Sequence, residues 1–208
     1  MKQVIAKALF TLLITGFFTA TSIAQQSPLK LAISYNTSTP LGTDFKNYIS
    51  KTSFRGLQGS IMYNLNNDWR IGLQTSYNDF YQKYPRLVYK TTDGAEISAV
   101  LSNTLQAIPV VIKGEYSFVK NGWIKPYVGL GAGVNFINFD QFYGEFKSNR
   151  FYTKAAFSGD LGVVIPFTKS GQYAARISTS YNLSPFNEEG IKNINTWNVQ
   201  AGVVFPLK

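Results

Sequence analysis

The sequence contains no cysteine and no histidine. Without cysteine there can be no disulfide, no thiol nucleophile and no thiolate metal site. Without histidine the chain lacks the one side chain whose unperturbed pKa sits near neutral pH, the usual proton shuttle of hydrolases and acyltransferases. The commonest nitrogen ligand for transition metals goes with it. These absences lead us to expect no enzyme, no cofactor and no metal centre. Charge is also scarce: only 15% of residues are charged, against roughly 25% in a soluble domain. After the first two dozen residues there is no long apolar run, and a spanning helix needs about 20 apolar residues. Aromatic residues, by contrast, are abundant, with 13 Tyr and 16 Phe.

Residues 1–24 read as a secretory signal peptide. Lys2 and Lys7 give a positive start, an apolar stretch follows, and Ser22-Ile23-Ala24 supplies small residues for cleavage. The expected division is a signal peptide over 1–24 and one domain over 25–208. The net charge of +9 and pI of 9.6 could suit nucleic acid, but an exported chain rarely meets it, so no nucleic-acid partner is expected. Basic side chains at a membrane rim instead suit the anionic head groups of surface lipids.

In the exported part, eight segments alternate apolar and polar residues with period two. They fall near 29–37, 56–65, 69–79, 105–118, 125–137, 154–167, 173–183 and 197–205. The last is representative: Trp197, Val199, Ala201, Val203 and Phe205 share one face, while Asn198, Gln200 and Gly202 lie on the other. A strand with lipid on one side and a filled polar interior on the other must have this period. The connections alternate too. Asn66-Asn67-Asp68, Lys120-Asn121-Gly122 and Thr168-Lys169-Ser170-Gly171 are tight turns, whereas 38–55, 80–104, 138–153 and 184–195 are long.

The fold class implied is all-β, an eight-stranded antiparallel up-and-down transmembrane β-barrel with short periplasmic turns and long extracellular loops. Such a barrel is expected in a bacterial outer membrane, with both termini periplasmic. Closure follows from the solvent: hydrocarbon offers no hydrogen-bond partner, so an open edge would leave backbone groups unsatisfied at several kcal/mol each. Pro109, Pro126 and Pro166 lack an N–H and are expected near strand ends or bulges, facing a rim. Aromatic residues such as Trp69, Trp123 and Tyr173 near the turns, and Tyr77, Tyr181 and Trp197 near the loops, would form two interfacial belts.

On the predicted inward faces lie Arg70, Lys113, Glu115, Asp160 and Arg176. A barrel of eight strands is narrow and filled by side chains, so these charges are expected to pair and plug the lumen. Gly129, Gly131 and Gly133 alternate within one strand with no helix following, which argues for room beside bulky interior groups and against a phosphate loop. In the loops, Lys83, Arg86 and Lys90 stand among aromatic residues, as does Arg150. Such mixed surfaces suit lipopolysaccharide, glycans or a surface protein partner.

The segment Lys125-Pro126-Tyr127-Val128-Gly129-Leu130-Gly131-Ala132-Gly133-Val134 resembles a strand of the small outer-membrane barrels, the outer membrane protein A-like and X-like group, in its Bacteroidetes form. The C-terminal tail resembles the group's barrel-assembly signal through Gln200, Gly202, Phe205 and Leu207, although it ends in Lys208 where an aromatic residue is usual. The resemblance implies recognition by the barrel-assembly machinery and carries no catalytic residue across. The role expected is structural or one of interaction at the cell surface. The alternatives are a narrow porin-like pore, a passage for small molecules, or a barrel accessory to a secretion system.

Overall fold

The computed structural model describes residues 28–90, 94, 96–119, 122–167 and 172–207. The signal peptide assigned to 1–24, the Lys120-Asn121 part of one turn and the turn at 168–171 lie outside the described residues. Eight strands form the ring: β1 (Leu29–Leu41), β2 (Ser53–Asn64), β3 (Trp69–Lys90), β4 (Glu96–Ser117), β5 (Lys125–Tyr143), β6 (Phe146–Pro166), β7 (Ala174–Leu183) and β10 (Asn195–Pro206). Every neighbouring pair is antiparallel, and the ring closes where β1 meets β10, from Lys30↔Pro206 to Leu41↔Asn195. Closure leaves no sheet edge across the apolar zone, as a chain surrounded by lipid requires. A helix, α1 (Thr43–Tyr48), follows β1, and a small hairpin of β8 (Pro185–Glu188) and β9 (Ile191–Asn193) sits between β7 and β10.

The alternation predicted from sequence is the alternation observed. Ile71, Ile112 and Val199 point outward, with Ile112 63% exposed, while Gln74, Glu115 and Gln200 are buried, Glu115 completely. The outward band on β3 runs from Trp69 to Tyr77 and gives way to Asp79; on β5 it runs from Val128 to Phe136 and gives way to Asn138. Exposed rings mark both borders. Tyr63, Trp69, Phe118 and Tyr173 stand at the end of the ring that bears the turns, and Tyr35, Tyr77, Tyr181 and Trp197 at the opposite end.

One expectation is refined and one is corrected. The segments 80–104 and 138–153 are long connections, as expected, and most of their length is strand: β3–β4 and β5–β6 continue as paired ladders to Lys90↔Glu96 and Tyr143↔Phe146. Backbone pairing persists past the apolar band, but residues there no longer have lipid on one side, so the period-two signal stops before the strands do. Pro109 also departs from expectation. It sits inside β4 opposite Asn135 and lines an interior cavity instead of a rim. Lacking a donor, it interrupts its other ladder, where the pairing of β3 with β4 passes from Thr75↔Val110 to Asn78↔Ala107. Pro126 and Pro166 do lie at strand ends.

Candidate functional site

The lumen is built in layers along the barrel axis. Toward the turn end, Ala32, Val164, Ala174 and Val204 pack around the Tyr127 ring. Next comes an ionic layer that unites all five inward charges named from sequence. Glu115 receives three cations: Arg176 at 2.5 Å, Lys113 at 3.1 Å and Arg70 at 3.2 Å. Asp160 takes Lys113 at 2.7 Å and Arg176 at 3.7 Å. Lys113 completes its set by donating to Gln74 Oε1 at 2.8 Å, and Arg70 donates to Ser117 Oγ at 3.0 Å. A buried ion is tolerable only when neighbours replace its hydration, which is why each long basic side chain here reaches at least one carboxylate. Glycine makes the room. A Cβ on Gly129 would stand 2.7 Å from Asp160 Oδ1 and 2.8 Å from Lys113 Cε.

Above the ions is a neutral polar layer. Asn36 Nδ2 and Ser38 Oγ both donate to Asn78 Oδ1 at 2.6 Å, Gln58 donates to Gln74 at 3.3 Å, and Gln200 joins Ser178 and Ser180 at 3.0 and 2.8 Å. A cavity of about 20 Å³ lies beside it, lined by Gln74, Asn78, Asn135 and Ser158 among others, with Phe157 and Leu183 on its outer side. That volume holds one water molecule, since about 10–15 Å³ suffices.

At the end opposite the turns sits an apolar cluster, here called the stopper, that sequence reading missed. Phe45 and Ile49 from α1 and its C-terminal flank, with Phe186, Ile191 and Ile194 from the β8–β9 region, insert among Phe80, Leu105, Ile137 and Phe139, all of them buried. Ring packing is tight: Phe45 meets Phe80 edge-on at 5.4 Å, and Tyr48 stacks on Phe139 at 4.2 Å. Burial first, then Glu189, Tyr143 and Asp140, raise the Tyr48 phenol far above its ordinary pKa. The β8–β9 turn, with Asn187, Glu189 and Gly190 at positive φ, is tied to β6. Glu189 accepts from Arg150 and, at 2.7 Å, from Tyr152 Oη, while Lys154 meets Glu188 at 3.0 Å. The available signal was Phe186 and Ile191 flanking the turn sequence Asn187-Glu188-Glu189-Gly190.

The basic loop residues do not form one group. Lys83 and Arg86 are exposed on β3, and the bulge between them, which pairs Lys83 with Ser102 and Arg86 with Val100, keeps both on one side of the hairpin. Lys90 ends the strand opposite Glu96. Arg150 lies on β6 and is held by Glu189. Of the tail residues, Gln200 points into the lumen. Gly202 is pressed against β1 so that a Cβ would overlap the Ile33 carbonyl oxygen, and Leu207 N–H donates to Leu29 O at 2.9 Å. Phe205 pairs with Leu31 at the turn end. Among the described residues no group of three or more acidic side chains is placed to hold a metal ion.

A closed ring of eight antiparallel strands, apolar outside and polar within, defines a transmembrane β-barrel of the outer-membrane type. The chain belongs to the outer membrane protein beta-barrel domain family, which it matches over residues 10–205, and its place is the cell outer membrane. Among solved structures it is similar to the Neisserial surface protein A, at 18% identity with a TM-score of 0.54 over 86% of this chain and 96% of the other. It is also similar to the outer membrane protein OprG of Pseudomonas aeruginosa, at 13% identity with a TM-score of 0.53 over 87% and 96%. At these identities the likeness is one of fold. A search of curated proteins found no match to the sequence.

Proposed function

We propose that this protein is a sealed barrel that acts through the surface of its long hairpins and has no catalytic role. In this reading 1–24 is a cleaved signal, 25–208 is the barrel, both termini are periplasmic, and the hairpins face outward from the cell. The observation that carries it is the succession of closures in the lumen. Opening a path means separating buried ion pairs and unseating Phe186, Ile191 and Ile194, at roughly 1.5–3 kcal/mol for each apolar side chain returned to water. The ion pairs at the stopper's rim are partly exposed and weak by comparison, so they tether the hairpin and do not gate it.

The hairpins supply the interaction surface. From Tyr77, where the outer apolar band ends, β3 continues to Lys90, on the order of 40 Å of strand at about 3.3 Å per residue. Lys83 and Arg86 stand on this projection without carboxylate partners among the described residues, and Arg55 and Tyr81 lie just below, 5.8 Å apart. Phosphorylated head groups of lipopolysaccharide fit this chemistry; a glycan or protein partner could use the same surface. Gln200, Gly202, Phe205 and Leu207 fit a tail read by the assembly machinery.

Conductance in planar bilayers tests the sealed lumen. We expect no stable channel from purified protein, and a reproducible unitary conductance would contradict the reading. A second reading, a passage for small molecules, is favoured by one feature: Phe157 and Leu183, on the lipid side, help line the interior cavity. Uptake of a small apolar solute by proteoliposomes, abolished by Phe157→Trp, would favour it instead.

A further inference from the structure

We infer that the outward face of strands β4, β5 and β6, just beyond the apolar band, binds the saccharide head group of an outer-leaflet glycolipid. This rests on the reading above that the hairpins stand on the cell-surface side. Strand register assembles the face. The apolar band ends on the row Ile108↔Phe136. The next rows are Gln106↔Asn138↔Phe151, Thr104↔Asp140↔Asn149 and Ser102↔Phe142↔Lys147. No register shift interrupts either pairing, so these side chains keep the side of the sheet that lower down faces lipid. They therefore stand in the layer directly above the acyl chains, and in an outer leaflet that layer is made of lipid head groups.

The chemistry of the face selects among head groups. Asn149 Nδ2 donates to Asn138 Oδ1 at 2.7 Å and to Asp140 Oδ1 at 2.5 Å. Asn138 Nδ2 donates to Asp140 Oδ2 at 3.3 Å and to Gln106 Oε1 at 3.5 Å. These bonds hold the amides in fixed orientations before any ligand arrives, and they leave the Gln106 amide hydrogens and the Asn149 carbonyl oxygen for a ligand. The carboxylate of the array is matched by Lys147 at 3.2 Å, so the face carries no surplus charge. A phosphate finds no excess cation on it, whereas sugar hydroxyls, which both donate and accept, match amides that do the same. Rings frame the array: Phe151, 64% exposed and stacked on Phe136 at 6.3 Å, lies at its lower border, and Phe142 at its upper one. Such rings suit the apolar faces of pyranoses. Two strand spacings by four residues give about 10 by 13 Å, room for a disaccharide.

The test uses the barrel in phospholipid nanodiscs, offered lipid A stripped of its phosphates, with retained lipid counted by native mass spectrometry. The stripped lipid should be retained in preference to phosphatidylethanolamine. Asn138→Ala/Asn149→Ala should lower that preference about tenfold, the scale of one hydrogen bond lost. In the unmodified protein the side-chain amide NMR signals of Asn138 and Asn149 should shift with the stripped lipid and stay in place with phosphatidylethanolamine. No preference over phosphatidylethanolamine, a preference that survives the double variant, or unmoved amide signals would each overturn the proposal. If the double variant does not fold, the amide signals of the unmodified protein decide. The probe carries no phosphate, whereas the role given to Lys83 and Arg86 depends on phosphate and on salt, so each reading can fail without the other.

Discussion

Glu115 is the hub of the lumen, and replacing it is the most demanding perturbation of the structure. Three cations reach its carboxylate within 2.5–3.2 Å, and it is wholly buried. Glu115→Gln keeps the shape and one acceptor but leaves Arg70, Lys113 and Arg176 facing Asp160 alone. Removing one partner of a buried pair costs about 3–5 kcal/mol, because the other charge stays buried and uncompensated. Here the loss should reach at least the lower figure, a change of roughly a hundredfold or more in the folding equilibrium. It is a large fraction of the 5–15 kcal/mol typical of a whole domain. Urea unfolding in lipid vesicles, followed by tryptophan fluorescence and by the mobility shift of folded barrels on unheated gels, reads this directly. The double variant Glu115→Gln/Arg176→Met should recover a substantial part of the loss, because it also removes the bidentate cation. Glu115→Gln within about 0.5 kcal/mol of the parent protein would refute the reasoning and mean that water screens these charges.

Other consequences can be checked with the same assay. Ile112→Arg, in the middle of the outward band of β4, should cost about 2–4 kcal/mol in vesicles, as Arg does at the midplane of a barrel's lipid face; a neutral result would place Ile112 off the lipid. Gly202→Ala should impair assembly, since its Cβ would strike the Ile33 carbonyl, whereas Gly59→Ala, with open space around it, should not. Equal yields of folded protein would contradict the packing. Phe186→Ala should cost about 3–5 kcal/mol and make the β8–β9 turn a site of protease cleavage; resistance to cleavage would show that the stopper holds without it. Lys83→Ala/Arg86→Ala should weaken association with lipopolysaccharide vesicles by an amount that shrinks as salt rises, and binding unchanged at low salt would exclude those side chains.

What could be read in the chain follows from how each environment marks the residues. Lipid imposes a strict rule on every second position, so Trp69–Tyr77 and Trp197–Phe205 announce both their strand character and their faces. The rule lapses where lipid ends. Phe80–Lys90 pairs with Glu96–Leu105 along its length apart from the bulge between Lys83 and Arg86, yet mixed surroundings erase its period. Membership of the ionic layer was legible, because inward charges in a narrow tube must pair. The identity of the pairs was not: Arg176 on β7 reaches Glu115 on β4 across the lumen, with β6 and β5 between them in the ring, and that contact depends on the stagger of all eight strands. The stopper was hidden for a related reason. Phe45 and Phe186 are 141 positions apart in connections with no shared pattern, and only closure of the barrel brings them into one core.

The orientation of the strand faces underlies everything else, and the absence of native cysteine makes it directly measurable. Single cysteines at positions 71, 112 and 199, and at 74 and 200, can carry nitroxide labels on the protein in vesicles, with collision rates measured against oxygen and a water-soluble nickel chelate. Labels at the first three positions should be rich in oxygen contacts and shielded from nickel, while those at 74 and 200 should be immobile and poor in oxygen. Oxygen-rich labels at 74 and 200 with nickel-accessible labels at 71, 112 and 199 would turn the barrel inside out and contradict the account.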